Sequence, residues 1–96
     1  MKYDVFIAED ARRDIRMAHS WYSEQSVKLA GSFLKALNSI IKRIGKIPYQ
    51  TQIRYGNIRI AFLKRYPFGI HFKVTENVII ILAVFHTSQN PKDWPE

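Results

Sequence analysis

An α+β fold is predicted for this chain, in the order β-α-α-β-β-β-β, with a two-helix hairpin packed on one face of an antiparallel-rich sheet. Three features predict it. Apolar residues recur at helical spacing between Ala11 and Ile44, the period changes to two from Ile53 onward, and Val78 to Phe85 is an uninterrupted apolar run too short for a typical helix.

The first strand is read from Tyr3, Val5 and Ile7, which alternate with Lys2, Asp4 and Phe6. Asp10 is then a candidate N-cap for a first helix, whose inner face carries Ala11, Ile15, Ala18 and Tyr22. Ser26 offers the next cap. Ala30, Phe33, Leu34, Leu37, Ile40, Ile41 and Ile44 trace a wide stripe that ends at Gly45 and Pro48. The short break at Glu24 to Ser26 makes the two helices an antiparallel hairpin, with Lys28, Lys35, Lys42 and Arg43 on its outside.

Beyond the helices, Ile53 and Tyr55 lead through a Gly56-Asn57 turn to a strand with Ile58, Ile60 and Phe62 on one face and Arg59, Ala61 and Leu63 on the other. Tyr66-Pro67-Phe68-Gly69 interrupts the alternation. Ile70, Phe72 and Val74 then alternate with His71 and Lys73 up to a tight connection at Glu76-Asn77. Val78 to Phe85 reads as a central strand buried on both faces. The tail from His86 is polar except for Trp94, which is expected to fold back over an exposed part of the sheet.

Composition narrows the function classes. The 96 residues suit a single domain, residues 1–96, with 47% hydrophobic and 24% charged residues and no low-complexity tract. There is no cysteine, and the histidines at 19, 71 and 86 have no ligand-like spacing, so no metal site and no cofactor are expected. An acid precedes any apolar run at the start, and no apolar stretch reaches the roughly 18 residues of a membrane span, so a cytoplasmic location without membrane association is expected.

The formal charge of +7 is unevenly placed. Lys28, Lys35, Lys42, Arg43, Lys46, Arg54, Arg59, Lys64, Arg65 and Lys73 all lie between Ser26 and Thr75, while all eight acids lie outside that span. Such a block favours encounter with RNA, DNA or an acidic protein segment, and also suits a solvated face.

Several local motifs, taken with the element order, extend over nearly the whole chain. They are Ala11-x-x-Asp14-Ile15, Trp21-Tyr22, Phe33, Ile47-Pro48, Ile58-Arg59, Tyr66-Pro67-Phe68, Val84-x-His86 and Asn90-Pro91-x-x-Trp94. In these the chain resembles the RelE/ParE toxin superfamily. The resemblance implies a toxin of a type II toxin-antitoxin system, a plasmid-stabilisation protein that inhibits bacterial growth. It also implies neutralisation by a cognate antitoxin in a hetero-oligomer, with either DNA gyrase or the ribosome and its mRNA as target.

The fold does not choose between these targets, so the residues must. Metal-independent RNA cleavage needs a base, an acid and cations around one phosphate, and the candidate catalytic groups are His86, His71, Lys73, Arg65 and Arg59. His86 either titrates in acid-base chemistry or anchors the tail and Trp94 by hydrogen bonds. His71 and Lys73 share a strand face and either line a concave site with Arg59 or form a charged docking strip. Lys64 and Arg65 sit in the proline-containing connection as exposed cations. Trp21, Tyr22, Lys73 and Trp94 are the candidate antitoxin-binding residues, although on an amphipathic helix Trp21-Tyr22 equally fits core or interface.

Departures from the nuclease pattern favour a ParE-like member. The arginine that ribosome-dependent members carry early in the penultimate strand falls at or near Gly69, and their basic cluster after the last strand becomes Thr87-Ser88-Gln89. The resemblance therefore implies interference with gyrase by binding. The alternatives are a RelE-like mRNA endoribonuclease and a degenerate member that retains only antitoxin binding.

Overall fold

The computed structural model describes residues 3–95. Strand β1 (Asp4–Ile7) leads into helices α1 (Glu9–Gln25) and α2 (Val27–Lys46), and a short 3-10 turn (Pro48–Gln50) precedes β2 (Ile53–Tyr55), β3 (Ile58–Phe62), β4 (Phe68–Thr75) and β5 (Val78–His86). The element order is the predicted one. The strands form one sheet in the order β1-β5-β4-β3-β2, in which β1 and β5 are parallel and the other pairs antiparallel.

The helix ends differ in how they are satisfied. Ser26 adopts an extended backbone and its hydroxyl accepts the Leu29 N–H at 3.2 Å, so it caps α2 as its position predicts. Asp10 does not cap α1. That helix starts at Glu9 with Ala8 as its unassisted N-cap, because the chain leaving β1 is held by Ala8 N–H to the Ile81 carbonyl and turns directly into the helix. Glu9 and Asp10 lie in the first turn instead, where negative charge faces the positive end of the helix dipole, and Asp10 pairs with Arg13 at 3.0 Å.

Cross-strand register assigns the paired sheet residues to faces. Phe72 stands opposite Arg59 and Ile81, Ile70 opposite Ala61 and Val84, and Val74 opposite Ile79. This is the helix side. Here Ile70, Phe72, Ile79 and Ile81 meet Phe33, Leu37 and Ile44 of α2 and Ala11, Ala18 and Tyr22 of α1 in one core. Gly45 fits the same layer, since a Cβ there would already stand 3.4 Å from Val5.

The open side of the sheet carries Phe6, Ile80 and Lys73 in one row and Ile60, His71 and Ala83 in the next. β5 is an interior strand between β1 and β4, as predicted, but it is not buried on both faces. Ile79, Ile81 and Val84 are buried, while Val78, Ile80, Leu82 and Phe85 are half-buried, because the helices cover one side only. Leu82 has no register partner on β4. The bulge it makes restores the alternation for Ala83 onward.

Two connections need unusual backbone. Gly56, with φ of 53°, makes the β2–β3 turn at no steric cost, as its position predicts, whereas Glu76 enters the same left-handed region at the β4–β5 turn as a non-glycine residue.

Candidate functional site

The residues singled out by the sequence fall into four separate places, with Arg59 apart from all of them. His71 is in the first of them, on the open face, and is only 2% exposed. Its Nδ1 shares a 2.9 Å hydrogen bond with the Tyr55 hydroxyl. Phe85 and Trp94 both present their rings to it at 5.1 Å, and Trp94 also lies over Tyr55 at 5.0 Å. The 3-10 turn at Pro91–Asp93 returns the tail across the sheet, with Asn90 accepting the Lys92 N–H at 3.0 Å to hold the turn. Trp94 thus covers the sheet as the tail composition predicts.

Burial determines the chemistry of this group. It pushes the His71 imidazole down to about 4 and the Tyr55 phenol up to about 12, so both are neutral at ordinary pH. Together with the buried Ile58, Ile60 and Ala83, they form a second, smaller apolar layer on the face away from the helices. Lys73 lies on the same face, half-exposed, opposite Ile80.

Arg59 does not join them. It faces the helix side opposite Phe72, where its guanidinium donates to the Thr51 carbonyl and lies 4.9 Å over the Tyr49 ring. The expected grouping of Arg59 with His71 and Lys73 is not formed, because neighbouring side chains along a strand alternate between faces.

His86 forms the second place, at the exposed end of β5 on the helix side, opposite Phe68 and 5.3 Å from its ring. Its Nδ1 accepts the Ser88 N–H at 3.1 Å and lies 2.8 Å from the Ser88 hydroxyl. It therefore holds the start of the tail. Trp94 is fixed by Tyr55 and His71 instead, on the other face.

The third place is the helix hairpin. Tyr22 is core, only 7% exposed, with its ring 5.1 Å from Phe33 and 5.4 Å from Tyr66. Trp21 is its opposite. It is 58% exposed, one turn from Met17 at 66%, so the two make an unpartnered apolar strip on α1.

Arg65 defines the fourth. With Lys64 and Tyr66 it lines a cleft of about 410 Å³ against Ser32, Lys35, Ala36, Ser39, Ile40 and Arg43 of α2. The residue spacing on α2 is a single helical face, but nothing in the sequence signals that the β3–β4 connection would come to rest beside it.

The motif residue Asp14 has a role that sequence reasoning did not assign. Its carboxylate accepts the Val84 N–H at 2.9 Å, beyond the point where β1 stops pairing with β5. Desolvation raises its pKa, partly offset by that hydrogen bond. Among the described residues, no three His, Cys, Asp or Glu side chains come together as a metal-binding group, and no helix is long and apolar enough to cross a membrane.

Helix hairpin, five-stranded sheet and returning tail define a toxin domain of the type II toxin-antitoxin class. The chain belongs to the ParE toxin family of the parDE type II system, whose family model matches residues 5–91. Its fold is that of the superfamily that includes RelE and ParE. A solved structure of the chromosomal ParDE toxin-antitoxin system from P. aeruginosa superposes with a TM-score of 0.79 at 18% identity, covering 88% of this chain and 96% of that one. The RelBE2 toxin-antitoxin complex from Mycobacterium tuberculosis superposes with a TM-score of 0.64 at 19% identity, covering 90% and 99%. Compared with curated proteins by sequence, the chain has no match.

Proposed function

We propose that this toxin inhibits growth by binding DNA gyrase and interfering with it, and that a cognate antitoxin holds it inactive. The observation that carries the target assignment is the separation of the candidate catalytic groups. His71 and His86 lie on opposite faces of the sheet, about 10 Å apart along β5 at roughly 3.3 Å per residue. Arg59 is engaged by Thr51 and Tyr49, and Arg65 lies against α2. Lys73 alone shares a face with His71, whose imidazole is buried. RNA cleavage requires acid, base and cation around one phosphate, and the five candidates do not surround a common point.

Gly69 supports the same reading. A Cβ there would stand 2.8 Å from Ile60 and 3.2 Å from Phe62, so the place at or near which the resemblance puts the arginine of ribosome-dependent members is filled by neighbours. Binding, by contrast, needs only a rigid surface.

The antitoxin reading rests on the exposed apolar side chains. Met17 and Trp21 on the outside of α1 offer exposed apolar anchors. Half-buried Trp94 and Lys73 lie on the opposite, open face of the sheet, so an antitoxin using both would wrap the domain, and an acidic one would complement the +7 charge. In cytoplasmic expression, the chain alone is expected to arrest growth and induce a DNA-damage response, and co-expression of the adjacent acidic reading frame to relieve both. 5′-hydroxyl ends on translated messages would instead assign it as an endoribonuclease, and the absence of any growth defect as a member retaining only antitoxin binding.

A further inference from the structure

The cleft between α2 and the β3–β4 connection is ringed by hydrogen-bond donors, with Ala36, Ile40 and the Tyr66 ring as its apolar lining. Lys35 and Arg43 stand on one wall, about 12 Å apart at roughly 1.5 Å per residue along the helix. Lys64 and Arg65 stand on the other, and Ser32 and Ser39 add hydroxyls between them. All four cations are exposed, and the ion pairs among the described residues, Arg13 with Asp10 and Arg16 with Glu9, lie on α1. No acid occurs between Ser26 and Thr75, so no carboxylate of either wall neutralises the cleft.

We infer that this cleft binds the phosphate backbone of duplex nucleic acid. Two charged rows facing across a groove match closely spaced phosphates, and the paired arginines and lysines supply the planar forks and point charges that phosphate oxygens accept from. A single strand would need rings on which to stack its bases. The cleft's one aromatic residue, Tyr66, already meets Tyr22 at 5.4 Å and Phe33 at 5.6 Å and is half-buried. An acidic peptide would need apolar sockets for its anchors. The apolar side chains of the lining, Ala36, Ile40 and Tyr66, are already packed into the core. The contact is independent of base sequence, because no element enters a groove, and it does not depend on gyrase being the target.

The test is fluorescence anisotropy of the full chain with a short blunt-ended DNA duplex over a range of salt concentrations. Dissociation constants of about 10⁻⁶–10⁻⁴ M near physiological salt are expected, falling steeply as salt is lowered. Lys35→Ala/Arg43→Ala and Lys64→Ala/Arg65→Ala should each make the log–log salt slope shallower by about 1.8 and weaken binding roughly tenfold or more. Arg12→Ala/Lys92→Ala removes the same charge from α1 and the tail, away from the cleft, and should leave both unchanged. Circular dichroism confirms that each variant is folded. Equal losses in all three double variants, no loss in the cleft variants, tighter binding of the matching single strand, or tighter binding of polyglutamate than of duplex at the same salt would each overturn the assignment.

Discussion

The Asp14 carboxylate reaches from α1 to the backbone of β5 and accepts the Val84 N–H at 2.9 Å. β1 ends at Ile7, opposite Ile81, so the outer edge of β5 beyond that point has no strand to pair with, and a helix side chain takes the place of a strand carbonyl. Asp14→Ala should destabilise the fold by about 1–3 kcal/mol, the cost of a buried donor left without its charged acceptor, read from denaturant unfolding. Asp14→Asn keeps an acceptor and gives up a desolvated charge, so it should cost less than about 1 kcal/mol. Because burial raises the Asp14 pKa, the folded state holds this proton more tightly than the unfolded one. Its contribution to stability is therefore full at low pH and is lost as pH rises through the folded pKa, a dependence that Asp14→Asn should remove.

His71 works in the opposite direction. Its folded pKa is lowered from 6.5 to about 4 by burial, so the unfolded chain binds the proton more tightly. Stability is fully present above pH 6.5 and falls as pH drops toward about 4, by on the order of 3 kcal/mol. Urea unfolding across that window should show the decline in the native chain. His71→Asn, which keeps a hydrogen-bonding partner for Tyr55 but does not titrate there, should flatten it.

Trp94 is what seals that histidine. Its ring meets Tyr55 at 5.0 Å and His71 at 5.1 Å, and each such aromatic contact contributes about 0.5–1.5 kcal/mol beyond area burial. Trp94→Ala should therefore cost about 1–3 kcal/mol and expose the tail from His86 onward to carboxypeptidase. It should also raise the His71 pKa toward its ordinary value as water reaches the ring. An NMR titration of the His71 ring protons measures this directly, and an unchanged pKa would mean that the tail is not the seal.

Gly69 has no room for a side chain. Added atoms would press on Ile60 and Phe62, so Gly69→Ala should cost about 1–3 kcal/mol, and Gly69→Arg more, without yielding ribonuclease activity. Thermal unfolding and an RNA-end assay on the same two variants check both halves of the statement.

Most of the fold is legible along the chain because it is written in local signals. The α2 stripe, the Ser26 cap, the Gly56 turn and the alternation of β3 and β4 each need only neighbouring residues to be recognised. The functional surfaces are legible only in part. Arg59 and His71 are both polar residues on adjoining strands, but their faces follow from cross-strand register, which the β3–β4 connection sets. The burial of His71 depends on a tail whose return path has one apolar anchor, and the cationic cleft depends on where the irregular Leu63-to-Pro67 connection lands beside α2. Asp14 was visible as a motif, yet its partner is 70 positions away.

The central claim is action on gyrase through binding. The most direct measurement incubates the purified chain with purified DNA gyrase, supercoiled plasmid and ATP, then denatures the mixture and looks for linear DNA. Protein-linked double-strand breaks should increase with toxin and be lost when the cognate antitoxin is added first. Intact plasmid at toxin concentrations that arrest growth, with cleaved message recovered from translating ribosomes under the same conditions, would contradict that claim.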